Sequence, residues 1–334
     1  MADSVLHSIV SRLMAKGKGF LAIDESSDSI KKRFEKVGIE DSEEMRRVYR
    51  QMLISAPGIN EYVSGMILFD ETMFQRSDDG IIFPELLKSK DMISLIKVDT
   101  GRVALPNHPG EKVVEGVDGL AKRFAKYKEL GAEGAKFRSE IYIGSDIPSK
   151  YCLYVNAHQM ARYASICQEL DIVPVVEPEV LISGEHTIER AEEVGTQVLR
   201  GLFDEMEKHG VDLSGLILKT SMIISGDKCS IQATSEQVSE ATARVLRATV
   251  PANVGGVVFL SGGQTPEQAT ENLQKIALLG GYPWPVTFSY ARAIQGPALA
   301  HWKGKSENYS EAQKILVERA RLNSLASKGE YRGE

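Results

Sequence analysis

Residues 216–221 read Leu216-Ile217-Leu218-Lys219-Thr220-Ser221, or "LILKTS". Three aliphatic residues of strand-like character close on a lysine, a side chain among those least often buried. Outward from this stretch the same form recurs along the chain. "FLAIDES" (20–26), "GMILFDE" (65–71), "SLIKVD" (94–99), "GAKFRSE" (134–140), "VPVVEPE" (173–179), "GVVFLSGG" (256–263) and "PVTFSYAR" (285–292) are also apolar runs that end in polar residues. With 216–221 they make eight, spaced roughly 30 to 45 residues apart, the interval of repeated strand-plus-helix units. Nearly continuous apolar strands suit a sheet covered on both faces.

The intervening segments carry helical patterns. After Asp118, residues Leu120, Phe124, Tyr127 and Leu130 keep a helical spacing, with Gly131 at the place of a C-terminal cap. Thr265, Pro266 and Gln268 have the order of a capping box with proline at the first helical position. From Thr187 to Glu207 an amphipathic segment sets Val194, Val198 and Leu202 on one face before Gly210, and a further helix begins near Ser310 with Ile315, Leu316, Ala320 and Leu322. At the N-terminus Val5, Ile9 and Leu13 repeat at helical spacing. Eight alternations predict an α/β fold, a closed (β/α)8 TIM barrel formed by residues 1–334 as a single domain. The alternative is an open doubly wound sheet, but no GxGxxG follows the first run, so its dinucleotide-binding form lacks a fingerprint.

Composition narrows the partners. Forty Lys and Arg against 46 Asp and Glu give a net charge of −6, which argues against nucleic acid. No apolar window approaches the length needed to cross a bilayer, and the N-terminus has neither the basic start nor the apolar core of a secretory signal. Cys152, Cys167 and Cys229 form no CxxC pair, which fits a reducing cytoplasm. The histidines at 7, 108, 158, 186, 209 and 301 have no close ligand spacing and end no expected strand, so a zinc site is disfavoured, and with it a metal-dependent mechanism.

In a barrel of this type the active site lies at the C-terminal ends of the strands. Those ends collect Asp24, Lys97, Asp99, Lys136, Arg138, Glu177, Glu179, Lys219 and Arg292. Any one of them alone reads as a solvated rim charge, and Asp70, Asp99 and Glu179 read equally as counter-ions of neighbouring cations. Five cations on one face of an acidic chain point to an anionic substrate that also needs proton transfer. After the seventh run, Ser261, Gly262 and Gly263 offer backbone N–H groups, and after the eighth Arg292 can grip two phosphate oxygens. Following the first run, Ser26, Ser29 and Arg33, with Lys97, could hold a second anion, although Ser29 also suits a helix cap. Two phosphates imply a bisphosphorylated sugar. Lys219 is then a carbonyl-trapping amine, provided that burial and a neighbouring cation such as Lys136 favour its neutral form. Glu177 is a candidate for the proton transfers of imine formation and Asp24 for removal of a substrate hydroxyl proton. A barrel enzyme that isomerises or condenses phosphosugars without an imine, and a non-catalytic scaffold, are the other classes in view.

As a whole the sequence resembles the class I, Schiff-base fructose-bisphosphate aldolases. The resemblance runs from "GKGFLAIDESSDSIKKR" to "TFSYARAIQGPAL" and includes "KVDTG", "GAKFR", "VPVVEPE", "LILK" and "FLSGGQ" in the family's order. It implies a barrel enzyme of glycolysis and gluconeogenesis that splits fructose 1,6-bisphosphate without metal or other cofactor. It implies Lys219 as the Schiff-base former, Glu177 as the main acid/base, and Asp24 and Lys136 as their catalytic partners. One phosphate would fall to Ser261, Gly262, Gly263, Ser289 and Arg292, the other to Ser29, Arg33 and Lys97 with Ser26 and Arg138 nearby. It also implies phosphorylated sugars as the binding partners, a homotetramer, and a cytoplasmic site of action. Thr220 and Ser221 stand where many members carry Pro and Asn, Thr100 where animal forms carry Lys, and Tyr331 is close to the end but not terminal.

Overall fold

The computed structural model describes residues 5–333. Ten strands are present among them: β1 (Gly19–Ile23), β2 (Val63–Leu68), β3 (Ile93–Lys97), β4 (Gly101–Ala104), β5 (Lys112–Glu115), β6 (Gly134–Ile141), β7 (Val173–Val180), β8 (Ile217–Thr220), β9 (Gly256–Phe259) and β10 (Val286–Tyr290). Eight close a parallel barrel in the order β1-β10-β9-β8-β7-β6-β3-β2, and each corresponds to one of the eight apolar runs. β4 and β5 form a separate antiparallel hairpin that the run pattern does not announce. Its strands are four residues each and mostly exposed, with only Val114 buried, so no apolar run marks them.

Local signals set the helix ends. Thr265 and Gln268 form the reciprocal capping box of the helix Pro266–Leu279. Thr187 caps Ile188–Lys208 by accepting from the Arg190 N–H. The final helix spans Tyr309–Ser327. Helix Val5–Leu13 packs across the N-terminal end of the barrel. Leu6, Ile9, Val10 and Leu13 cluster there with Phe20, Ile67, Leu95, Val175, Ile217 and Val258 from the strands. Each such side chain contributes about 1.5–3 kcal/mol by burial. The buried stripe is 6, 9, 10 and 13; Val5, expected on it, is the first residue of the helix and is 58% exposed. The approach is close: a Cβ at Gly256 would lie 2.5 Å from the Met14 methyl carbon, so a larger residue there would displace the Met14 side chain that follows this helix.

The strand period places the site. Alternate side chains of a strand share a side. Inside the barrel the apolar layer of Ala22, Leu95, Val175 and Ile217 is fully or almost fully buried. Two residues further along the same strands come Asp24, Lys97, Glu177 and Lys219, and β6 adds Lys136 two beyond Gly134. The register sets Lys97 of β3 beside Lys136 of β6, and Arg138 of β6 beside Glu177 of β7. An apolar floor thus carries a charged layer at its C-terminal end.

Candidate active site

Four charged groups form a continuous chain in that layer. Lys219 Nζ lies 3.0 Å from Glu177 Oε1, Glu177 Oε2 lies 3.0 Å from Lys136 Nζ, and Lys136 Nζ lies 2.8 Å from Asp24 Oδ2. Lys219, Glu177 and Lys136 are each at most 3% exposed. Two cations and two anions balance, which makes burial tolerable, since an isolated buried charge would not be. Burial on its own raises the Asp24 carboxyl, but Lys136 and Lys219 outweigh it and hold the group well below the usual carboxylate range. Glu177 follows the same pattern: burial pushes it up, and Lys136, Lys219 and Arg138 bring it lower. Burial would strip the proton from Lys136, but Asp24, Glu177 and Asp99 more than reverse this and keep it a firm cation. The four residues expected to carry chemistry are therefore joined in one chain of contacts, with the carboxylates ionised around Lys136.

Around this chain the cations divide into tethered and open ones. Lys97 Nζ sits 2.7 Å from Asp99 Oδ1 and donates to the Asp99 carbonyl at 2.9 Å. Arg138 pairs with Glu179 at 2.9 Å and with Glu140, and Glu140 also binds Arg102 on the β4–β5 hairpin. Asp99 and Glu179 are counter-ions, the second of the two readings their positions allowed. Burial, with Glu177 and Glu140 adding to it against the pull of Arg138, raises Glu179, in contrast to Glu177 two residues earlier. Asp70 accepts a hydrogen bond from the Tyr127 hydroxyl at 2.6 Å. Arg292 has no carboxylate within ion-pairing distance among the described residues. Its pKa is lowered by burial first and by nearby Arg33 second. Arg33 and Arg292, assigned to different anion groups in the sequence reading, are thus near enough for their charges to repel.

The loops supply neutral donors. Gly262 and Gly263 have φ of +51° and +88°, which L side chains rarely adopt, and their turn is closed by Gln264 N–H donating to the Ser261 carbonyl at 3.0 Å. Ser289, fully buried on β10, has a hydroxyl oxygen without a protein hydrogen-bond partner. The helix Arg292–Trp302 starts directly after β10, so its first N–H groups open beside Arg292. On the other side, the helix Ser27–Lys36 has Ser26, not Ser29, at the cap position, and its side chain does not cap. The Ser26 hydroxyl instead donates to Ser29 Oγ at 3.0 Å. The structure therefore removes the capping role from Ser29.

Several supporting residues were not singled out from the sequence. Glu25, next to Asp24, is buried and gripped by Arg33, by Arg50 at 2.7 Å and by Gln295, whose amide oxygen accepts from the Tyr49 hydroxyl at 2.6 Å. This network fixes Arg33 at the mouth. Glu140 had a readable signal, since it shares the inward parity of Lys136 and Arg138. Arg50 and Gln295 lie in helices and had none. Ser221 binds both the N–H and the carbonyl of Val180, at 3.1 and 3.0 Å, and so ties the end of β8 to β7 where many family members have asparagine. The Tyr331 N–H donates to Gln274 at 3.0 Å, which sets the tail against the outer helix Pro266–Leu279. No helix among the described residues is long and apolar enough to cross a membrane.

Comparison with known proteins gives one answer. The model of the family "Fructose-bisphosphate aldolase class-I" matches residues 5–334. A protein of Xanthomonas campestris pv. campestris named "Probable fructose-bisphosphate aldolase class 1" is 49% identical over the whole of both chains. A Dictyostelium discoideum "Fructose-bisphosphate aldolase" is 46% identical over all of this chain and 94% of its own. Among solved structures, fructose-bisphosphate aldolase from Plasmodium falciparum, in complex with TRAP and a small-molecule inhibitor, superposes with a TM-score of 0.97 at 43% identity, covering 99% of this chain and 96% of that one.

Proposed function

The chain belongs to the class I fructose-bisphosphate aldolase family, and from that premise we propose how its own residues carry the family's reaction. The enzyme is a metal-independent lyase that reversibly cleaves fructose 1,6-bisphosphate to dihydroxyacetone phosphate and glyceraldehyde 3-phosphate through a lysine Schiff base. Lys219 attacks the substrate ketone as the neutral amine. Glu177, 3.0 Å from its nitrogen, carries the protons of carbinolamine formation and of the departing water. The resulting iminium is an electron sink. Asp24 takes the proton from the hydroxyl on carbon four, that oxygen becomes an aldehyde, and the electrons of the carbon three–carbon four bond form the enamine. Protonation of the enamine at carbon three and hydrolysis of the imine release dihydroxyacetone phosphate and free Lys219. Lys136, held between Asp24 and Glu177, keeps both carboxylates ionised and in place.

Phosphate recognition follows from the mouth. One group fits the Ser261–Gly263 turn, the Ser289 hydroxyl, the Arg292 guanidinium and the N-terminus of the helix Arg292–Trp302. The other fits Ser26, Ser29, Arg33 and Lys97. Arg138, bound on both sides by Glu179 and Glu140, acts in this reading as a positioning residue for the neighbouring carboxylates. One closed barrel, packed at one end by the N-terminal helix, supports treating residues 1–334 as a single domain. A homotetramer acting in the cytoplasm is proposed from the family alone; sedimentation of a single 36.7 kDa chain at working concentration would refute the tetramer.

The observation that carries the proposal is the buried Lys219–Glu177–Lys136–Asp24 chain. Lys219→Met should abolish cleavage of fructose 1,6-bisphosphate while leaving the fold intact, because Glu177 and Asp24 retain Lys136 as counter-ion. A folded Lys219→Met enzyme that still cleaves at a rate within tenfold of wild type contradicts it.

A further inference from the structure

Three side chains that the reaction does not use converge on the outside of the barrel. Glu205 lies in the last turn of the helix Ile188–Lys208 and His209 follows as its C-cap. Their four-residue spacing sets them on one face. His158 comes from the middle of the neighbouring helix Lys150–Glu169. His158 Nδ1 is 3.2 Å from Glu205 Oε2, and one ligand atom of each of the three residues lies within 4.8 Å of the others. A tetrahedral ion with metal–ligand bonds near 2.0–2.2 Å holds its ligands about 3.3–3.5 Å apart. Small side-chain rotations close that difference.

The surroundings favour an ion over a simple counter-ion cluster. Glu205 is only 4% exposed, and Lys208 engages its Oε1 at 2.7 Å, leaving Oε2 turned toward the two imidazoles. The His209 Nδ1–H donates to the Glu205 carbonyl at 2.8 Å, the kind of outer hydrogen bond that orients a ligating histidine and leaves the lone pair on Nε2. The two rings meet edge to face, with centroids 4.9 Å apart at 65°, so their nitrogens approach without stacking. Both histidines are partly exposed, which lets water complete the coordination.

We propose that His158, Glu205 and His209 bind a divalent zinc-class ion that staples these two helices together. Two imidazoles, one carboxylate and water suit zinc and its borderline neighbours, whereas magnesium and calcium prefer all-oxygen sites. The last turn of Ile188–Lys208 lies at the opposite end of the barrel from the strand ends that hold Lys219, so the ion takes no part in cleavage. Nothing in the sequence announced the site: 47 positions separate His158 from Glu205.

The test uses the full-length protein after chelator treatment and dialysis. Calorimetric titration with Zn2+ should give one ion per chain, and Co2+ in its place should develop the intense visible bands of low coordination number. His158→Asn and His209→Asn leave the Glu205–Lys208 pair intact, and each should weaken Zn2+ binding at least about tenfold to hundredfold, the loss that removing even an outer partner can cause. Zn2+ should raise the thermal midpoint of wild type and not of the His158→Asn/His209→Asn double variant, with cleavage rates alike in all. A wild type that takes up no stoichiometric ion overturns the proposal. So does unchanged affinity in the variants, which would place the ion elsewhere, for instance at Cys229. Neither result would touch the lysine chemistry, which is read by a separate assay.

Discussion

Replacing Lys136 by methionine keeps the length of the side chain and removes its charge. In the native protein this ammonium lies 2.8 Å from Asp24 and 3.0 Å from Glu177, with all three groups largely out of water. After the change Lys219 alone, 3.0 Å from Glu177, faces two carboxylates. Leaving one buried charge without its partner costs about 3–5 kcal/mol. An unfolding entropy of about 2.1 cal/mol/K per residue gives roughly 0.7 kcal/mol/K for the 334-residue chain, so the thermal midpoint should fall by about 4–7 °C near neutral pH. The pH dependence has a definite sign. Asp24 and Glu177 have depressed folded-state pKa values, so the stability they contribute is present above their unfolded values, near 4, and is lost as pH falls through the folded ones. The raised pKa of Lys136 contributes below about pH 10.4 and stays constant through the acidic range. The gap between wild type and Lys136→Met should therefore be widest near neutrality and shrink below about pH 4, where a carboxylate of the variant takes up a proton. Thermal scans at a series of pH values read it. Borohydride trapping of dihydroxyacetone phosphate by the same variant should be slower than in wild type, since Glu177, which moves the protons of imine formation, loses the lysine that holds its second oxygen. A stability gap that does not change with pH would assign the loss to packing, and superimposable trapping profiles would remove Lys136 from the chemistry of Lys219.

Two further outcomes follow from the mouth and from the donor set. Arg292→Ala removes a charge-assisted contact of the kind that is worth about 1.5–3 kcal/mol, so ketose 1-phosphates should bind roughly tenfold to hundredfold more weakly; an equal loss for a ketose without that phosphate, measured by the same inhibition assay, would show that Arg292 acts otherwise. Cleavage should persist through prolonged EDTA treatment, even where chelation strips an ion from His158, Glu205 and His209; activity that vanishes with EDTA and returns with zinc would contradict a lysine-only mechanism.

The strand period carried most of what could be read in advance. A lysine at the end of Leu216–Leu218 makes sense only where a strand delivers it into a shared mouth, and six of the seven other runs, which also end in charge, supplied the company. Parity along each strand then separated Lys136, Glu177 and Lys219 from the core residues between them. What the sequence did not disclose depends on contacts between distant elements. Glu25 stands beside Asp24, yet its role comes from Arg33, Arg50 and Gln295, which three different stretches of chain provide. The β4–β5 hairpin is too short and exposed to leave an apolar pattern. Ser29 had the right chemistry for a cap, but the chain turns into helix at Ser26. His158 and His209 belong to different helices and meet only because β6 and β7 are neighbours in the barrel.

The central claim is that Lys219, and no other amine in the mouth, forms the covalent bond with substrate. Lys97 and Lys136 are the rivals, both on adjacent strands and both within the same charged layer. The direct measurement is intact-mass analysis after borohydride reduction with dihydroxyacetone phosphate, followed by peptide mapping. The account predicts one substrate-derived adduct per chain, on Lys219. An active enzyme that acquires no adduct, or one that carries it on Lys97 or Lys136, contradicts it.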